Sequence, residues 1–188
     1  MTFDYRGLDT LGEEFLLFAA AVGVALLLRE ARDEELGRPE DAVDGEAIRA
    51  TGLGAVGLTV VLGLYVVAHG PMTPGGGFQG GVVLAAAVAL VYVAGSYRAF
   101  RRVSPTALLD LAKGAGAGGF VLVAIAGLAA GGSFLENVLP LGTPGTLASA
   151  GTIPLLNAAT GLEVAAAFTL LFTEFVEELQ QARLEGRG

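Results

Sequence analysis

Ionisable side chains inside apolar segments are the places where this chain could do chemistry. Glu163 lies in the apolar stretch 155–175, and Asn157 and Thr160 precede it at steps of three, so the three polar groups share one face of a helix. A charged group at the centre of a membrane helix costs about 2.5 to 3.5 kcal/mol unless it meets a partner or water. Such a carboxylate could hold a proton or a monovalent cation. The alternative is a hydrated residue near the end of a span.

Further acidic residues stand near both ends of the chain. Glu13 and Glu14 follow Asp9 and Thr10 where the first apolar stretch begins. They could belong to an ion pathway, but a Thr or Asp followed by Glu is also typical of an ordinary capped helix start. Glu174 continues the stripe of Glu163 about 16 Å further along the helix axis. For Glu174 we expect simple hydration at a span end.

Residues 69–81 form a string that a continuous helix cannot accommodate, because two prolines and a run of glycines fall between two long apolar stretches. We expect a rigid non-helical corner that seats a neighbouring helix or subunit, since irregular backbone at membrane depth must be covered by protein or water. His69 could exchange protons near neutral pH, but donation to nearby carbonyls is the favoured role. The string lacks the Lys-Ser/Thr ending of a P-loop, which argues against nucleotide binding.

The composition assigns the chain to the integral membrane proteins, with 53% apolar and only 16% charged residues. The absence of Cys excludes thiolate-held zinc, iron-sulfur clusters and disulfides, and the single His leaves little to bind haem, so no cofactor is expected. The net charge of -8 argues against nucleic acid as a partner.

Hydropathy predicts an all-α protein of the cell membrane with five transmembrane helices, near residues 11–28, 48–68, 80–97, 109–130 and 155–175. The basic residues orient these helices. Ten of the eleven, all except Arg6, follow the first, third or fifth span and therefore lie on one side of the membrane. The positive-inside rule then predicts an external amino end and a cytoplasmic carboxyl end. Residues 30–47 are predicted to form an acidic, solvated cytoplasmic loop.

Small residues are dense within the predicted spans, at Gly52, Gly54, Gly57 and Gly63 in the second and at Gly114, Gly116, Gly118 and Gly119 in the fourth. Close helix packing is the ordinary interpretation, since membrane helices associate through backbone approach at small side chains. A small chain with so many packing faces is expected to be a subunit of a larger assembly.

Two strings carry a family resemblance. One of them closely resembles the signature of the B subunit of Mrp-type multisubunit Na+/H+ antiporters, the MnhB family, and it reads His69, Gly70, Pro71, Met72, Thr73, Pro74, Gly75, Gly76, Gly77, Phe78, Gln79, Gly80 and Gly81. The other is similar to the last helix of that family and comprises S-A-G-T-I-P-L-L-N at residues 149–157 and G-L-E-V at residues 161–164.

The amino end resembles a different subunit of the same antiporters. Residues 3–13, F-D-Y-R-G-L-D-T-L-G-E, are similar to a D-F-R-x-x-D-T-x-G-E segment in the membrane part of the large A subunit. The expected organisation is therefore an A-like helix over residues 1–29, the acidic loop over 30–47 and an MnhB-like membrane domain over 48–188. This resemblance implies that Glu13 is the best candidate for an ion-pathway carboxylate, with Asp9 close by.

The resemblance implies an accessory, non-enzymatic subunit of a complex that exchanges Na+ or another monovalent cation for H+. Its partners would be the other antiporter subunits and membrane lipid. The large proton-channel subunits of such complexes contain paired lysines and glutamates, and we expect no such pair here, so the chain alone should transport nothing. Two alternatives stay open: the same module in the ion-translocating arm of a membrane-bound hydrogenase or related respiratory complex, and a purely structural scaffold.

Overall fold

The computed structural model describes residues 2–31, 45–130, 132–147 and 149–185, and every regular element in these ranges is a helix. There are five long helices and one short one: α1 (Thr2–Ala31), α2 (Glu46–Ala68), α3 (Gly77–Ala94), α4 (Tyr97–Val103), α5 (Thr106–Ala129) and α6 (Ile153–Glu185). Five stretches within them are long and apolar enough to cross a membrane. The predicted all-α membrane class with five spans is therefore confirmed.

Helix α6 is the centre of the bundle. It packs against α1, α3 and α5 and touches α2. More than half of its apolar stretch is buried, whereas only 6% of that of α2 is. Side chains on α6 are therefore those best placed to meet groups from several other helices.

The break between α2 and α3 is shorter than the string that suggested it. Helix α2 ends at Ala68 and α3 begins at Gly77, so the non-helical part covers residues 69–76. The sequence predicted a non-helical corner over residues 69–81 and a third span that begins near residue 80. Residues 77–81 instead form the first turn of α3. A tight interface with two helices explains this, because a side chain on Gly80 would strike Val67 of α2 and one on Gly81 would fall 2.7 Å from Cβ of Val164 in α6.

Helix boundaries differ from the predicted spans elsewhere too. Helix α1 begins at Thr2, so Asp9, Thr10, Glu13 and Glu14 lie inside it and do not cap its start. The short helix α4 is an element that hydropathy does not predict. Ser96 stabilises its first turn by accepting a hydrogen bond from the Ala99 N–H at 3.2 Å. Residues 32–44 of the predicted acidic loop lie outside the described residues, and the membrane orientation stays a prediction.

Candidate ion-binding site

Glu163 lies at the centre of the bundle on the face of α6 that its neighbours cover. It is 0% exposed, and Asn157 and Thr160 on the same face are equally inaccessible at 2% and 1%. The predicted polar stripe is therefore real and points inward. Ten residues separate Glu163 from the start of α6 at Ile153, about 15 Å of helix, so its carboxyl group lies well inside the span.

Glu14 of α1 meets Glu163 across the helix interface. Glu14 is 2% exposed, and its carboxyl group lies within hydrogen-bonding reach of that of Glu163. A hydrogen bond between two carboxyl groups requires that one of them carries a proton. Apart from such a shared proton, none of the four carboxyl oxygens has a donor among the residues that the structure describes. Two buried acids side by side therefore form a site that needs positive charge.

Lys113 of α5 is the third ionisable group at this place. Its side chain is buried, its Nζ lies 5.0 Å from the ring centroid of Phe18 in α1, and its charge attracts Glu163. Lys113 acts on Glu163 through space, without a direct ion pair between the two among the described residues. The count of basic residues in the sequence treats Lys113 as a charge that flanks the third span. Its position within the apolar helix α5 is the signal that could have identified it as a buried lysine.

Close backbone contact between α5 and α6 places Lys113 within electrostatic reach of Glu163. A Cβ atom on Gly116 would lie 2.6 Å from the backbone nitrogen of Glu163 and 2.7 Å from the Ala159 carbonyl oxygen. A Cβ atom on Gly114 or on Gly118, two residues to either side of Gly116, would have no atom of another helix within 4 Å. Of the four glycines predicted to mediate packing here, Gly116 makes the close contact, and a Cβ atom on Gly119 would lie at an ordinary 3.7 Å from Cβ of Ala159.

A cavity of about 240 Å³ lies between α1, the corner and α6, and its lining residues Thr10 and Thr160 precede Glu14 and Glu163 by about one helical turn. Its lining includes Thr10 and Glu13 of α1, the glycines 75–77, and Asn157 and Thr160 of α6. The hydroxyl of Thr160, which is buried, has no hydrogen-bond partner among the described residues. Glu13 itself is exposed, and Asp9, one turn earlier on α1, is exposed as well. The structure thus places Glu13 at the cavity and Glu163 in the core, with Glu14 rather than Glu13 touching Glu163.

The corner between α2 and α3 is held by hydrogen bonds that occupy its polar groups. The ring of His69 stacks on Tyr65 with centroids 3.8 Å apart, and its Nδ1 lies 2.9 Å from the Tyr65 carbonyl oxygen. The first N–H of α3, on Gly77, donates to Asn157 Oδ1 at 2.8 Å. The remaining motif residues form this corner and the start of α3, namely Pro71, Pro74, Gly75, Gly76, Phe78, Gln79, Gly80 and Gly81.

Ion pairs close the opposite end of the bundle. Arg29 Nε lies 2.6 Å from Glu174 Oε1, and its Nη1 lies 3.6 Å from Asp110 Oδ2. Glu174 is 1% exposed, so the expectation that it is simply hydrated is wrong. Its partner is supplied by the last turn of α1, which the linear sequence places 145 residues away.

Comparison with known proteins identifies the chain's relatives. Residues 47–170 match the family model described as a domain related to the MnhB subunit of the Na+/H+ antiporter. An uncharacterised protein of Methanocaldococcus jannaschii is 33% identical over 192 residues, covering 87% of this chain and 70% of that protein.

Two solved membrane complexes contain similar chains. One is the membrane-bound sulfane sulfur reductase, an archaeal respiratory membrane complex, with 31% identity, a TM-score of 0.77, and coverage of 92% of this chain and 74% of that one. The other is the Mrp complex of a Dietzia species, with 26% identity and a TM-score of 0.73, where 92% of this chain matches 20% of a much longer one. The chain belongs to the MnhB family and is a multi-pass membrane subunit of the multisubunit Na+/H+ antiporter type, a type to which a respiratory complex is also related.

Proposed function

We propose that this chain contributes part of the ion pathway of a multisubunit cation/proton antiporter and has no catalytic chemistry of its own. The observation that carries the proposal is the buried contact between Glu14 and Glu163, whose carboxyl oxygens lack any other donor among the described residues. Such a pair is expensive in a span unless a proton, a cation or water satisfies it. Structural carboxylates normally have a fixed basic partner, as Glu174 has in Arg29.

The predicted ion-pathway residues Glu13 and Asp9 fit the same proposal in a different role. Glu13 lines the cavity that adjoins Thr160, and Asp9 lies one turn further towards the amino end of α1. Both exposed carboxylates would raise the local concentration of cations near the buried pair. The organisation proposed from the sequence, an A-like helix over 1–29 and an MnhB-like domain over 48–188, has a physical consequence here, because the two parts each supply one carboxylate of the pair.

The test is Na+-dependent proton exchange by everted membrane vesicles that contain the whole complex. Glu163→Gln and Glu14→Gln should each abolish exchange while the complex stays assembled, since Gln keeps the shape of the side chain but cannot bind a proton or balance a cation. Glu13→Gln should reduce exchange mainly at low Na+. Glu46→Gln, which changes an exposed carboxylate at the start of α2, is the matched control.

Unchanged exchange in the assembled Glu163→Gln and Glu14→Gln complexes would reject the ion-pathway role and leave a scaffold. The second candidate host is a respiratory complex with an ion-translocating arm. The match to a chain of the archaeal respiratory complex, 74% of which is covered, supports this second candidate. The subunits that copurify with the native chain distinguish the hosts: redox subunits indicate a respiratory complex, and their absence from an active exchanger indicates an antiporter.

A further inference from the structure

Lys113 is buried close to the acid pair, yet its ammonium group is only loosely held. The side chain is 5% exposed, and its contact with Asp110 Oδ1, at 3.5 Å, is long for a hydrogen bond. Its other close neighbour is the face of Phe18, which attracts a cation without fixing its direction. An ammonium group has three donors. Lys113 is thus a positive charge that acts on Glu163 through space and is not committed to a single carboxylate.

The charges at this site do not cancel when every group is ionised. Glu14 and Glu163 contribute two negative charges and Lys113 contributes one positive charge. The other acid near Lys113 is Asp110, which is 44% exposed and also pairs with Arg29, so water and that guanidinium balance it at the end of the bundle. One negative charge remains in a buried, weakly polar place, where an uncompensated charge is costly.

We propose that Lys113 is the built-in counter-ion of the Glu14 and Glu163 pair, so that the pair binds either one proton or one monovalent cation but not both. One added positive charge makes the site neutral. A second would leave it with a net positive charge and is disfavoured by the same cost of burying charge. Proton and cation then compete for one place, which is the requirement for exchanging them. This inference rests on the proposed function and adds to it the stoichiometry of the site.

The groups around Lys113 and Glu163 come from three helices. Helix α1 presents Phe18 to Lys113 and Glu14 to Glu163, α6 presents Glu163 itself, and α5 presents Asp110 to Lys113. Helix α3, which packs on another side of α6, contains no acidic or basic residue. The electrostatic balance of the pair therefore depends mainly on Lys113, and a change of its charge should have a direct effect on exchange.

The experiment compares Lys113→Met with Lys113→Arg in the whole complex in everted vesicles. The readouts are the pH at which Na+-dependent exchange is half-maximal and the Na+ concentration that half-saturates it. Loss of the positive charge makes release of the proton from the pair harder, so Lys113→Met should move the half-maximal pH towards alkaline values by about one pH unit or more. Na+ occupies the same place as the proton, so the loss of positive charge strengthens its binding too, and at a pH above that point the half-saturating Na+ concentration should fall.

Lys113→Arg keeps the charge, so its half-maximal pH should stay close to that of the wild type. Arg102→Gln, on the exposed side of α4, controls for a general change in surface charge. An assembled Lys113→Met complex with an unmoved pH profile would overturn the counter-ion role. If that variant fails to assemble, Lys113→Gln provides the same test with a polar side chain. Should Glu163→Gln also leave exchange intact, the proposed function itself fails; an effect of Glu163→Gln alone means that only the inference about Lys113 is wrong.

Discussion

The substitution Gly116→Ala tests whether close contact between α5 and α6 holds the acid pair and Lys113 in place. The new Cβ would lie 2.6 Å from the backbone nitrogen of Glu163 and 2.7 Å from both the Ala159 carbonyl oxygen and Cβ of Glu163. Ordinary contacts between such atoms are about 3.5 to 4.0 Å. The clash is with backbone and not with the end of a flexible side chain, so the two helices must separate by about 1 Å to restore an ordinary contact.

Separation of the helices has a calculable effect on stability. Forcing an extra methyl group into a packed interface costs about 1 to 3 kcal/mol. Replacing Gly by Ala in a helix returns about 1 kcal/mol through helix propensity. Gly118→Ala gains the same propensity, but nothing lies within 4 Å of its Cβ position. The difference between the two variants therefore isolates the clash, and Gly116→Ala should be the less stable by about 1 to 3 kcal/mol.

Two measurements follow the change. Thermal unfolding of the purified complex should show a lower midpoint for Gly116→Ala than for Gly118→Ala. Exchange in everted vesicles should fall in Gly116→Ala, because Glu163 moves relative to Lys113, while Gly118→Ala should retain it. Equal stability of the two variants, with equal exchange, would mean that α5 and α6 are not in close backbone contact at Gly116 and that this glycine has no part in positioning Glu163.

Two other substitutions test the corner and the ion pairs. Asn157→Leu removes the acceptor of the buried Gly77 N–H and should lower the free energy of unfolding by about 1 to 3 kcal/mol, measured by chemical denaturation against the exposed change Gln79→Leu; equal stability of the two would refute the anchoring role of Asn157. Arg29→Gln should destabilise by a similar amount, about 1 to 3 kcal/mol, because Glu174 loses a charged partner in a buried place. The double variant Arg29→Gln, Glu174→Gln should recover part of that loss, and a double variant that is no better than the single one would contradict the pairing of these two residues.

The fold was largely predictable because its elements depend on local properties of the chain. Each apolar stretch of roughly 20 residues has to be helical in lipid to satisfy its own backbone. The break near Pro71 and Pro74 follows equally from local chemistry, since proline removes a backbone donor. The exact start of α3 at Gly77 was not predictable. A run of glycines has little helix preference of its own, and these glycines are helical because α2 and α6 pack so closely against the start of α3 that larger side chains would not fit.

The candidate site was only partly predictable, for a geometric reason. Successive residues in a helix point about 100° apart, so adjacent residues such as Glu13 and Glu14 necessarily face different surroundings. Helix α1 shows no apolar stripe that would indicate which of the two is buried. Lys113 resembles a flanking charge in the sequence for a related reason, because its burial results from packing against Phe18 of α1 and not from its own neighbours in sequence.

Composition, hydropathy and short motifs are local properties, and they were enough to predict the membrane class, the five spans, the broken corner and the family resemblance. Helix packing was needed to show that Glu14, and not Glu13, meets Glu163, that Lys113 acts at the same place, and that Glu174 is paired with Arg29. Those contacts join residues from helices far apart in sequence. The rotation of each helix about its axis, which packing sets, decides which charges meet.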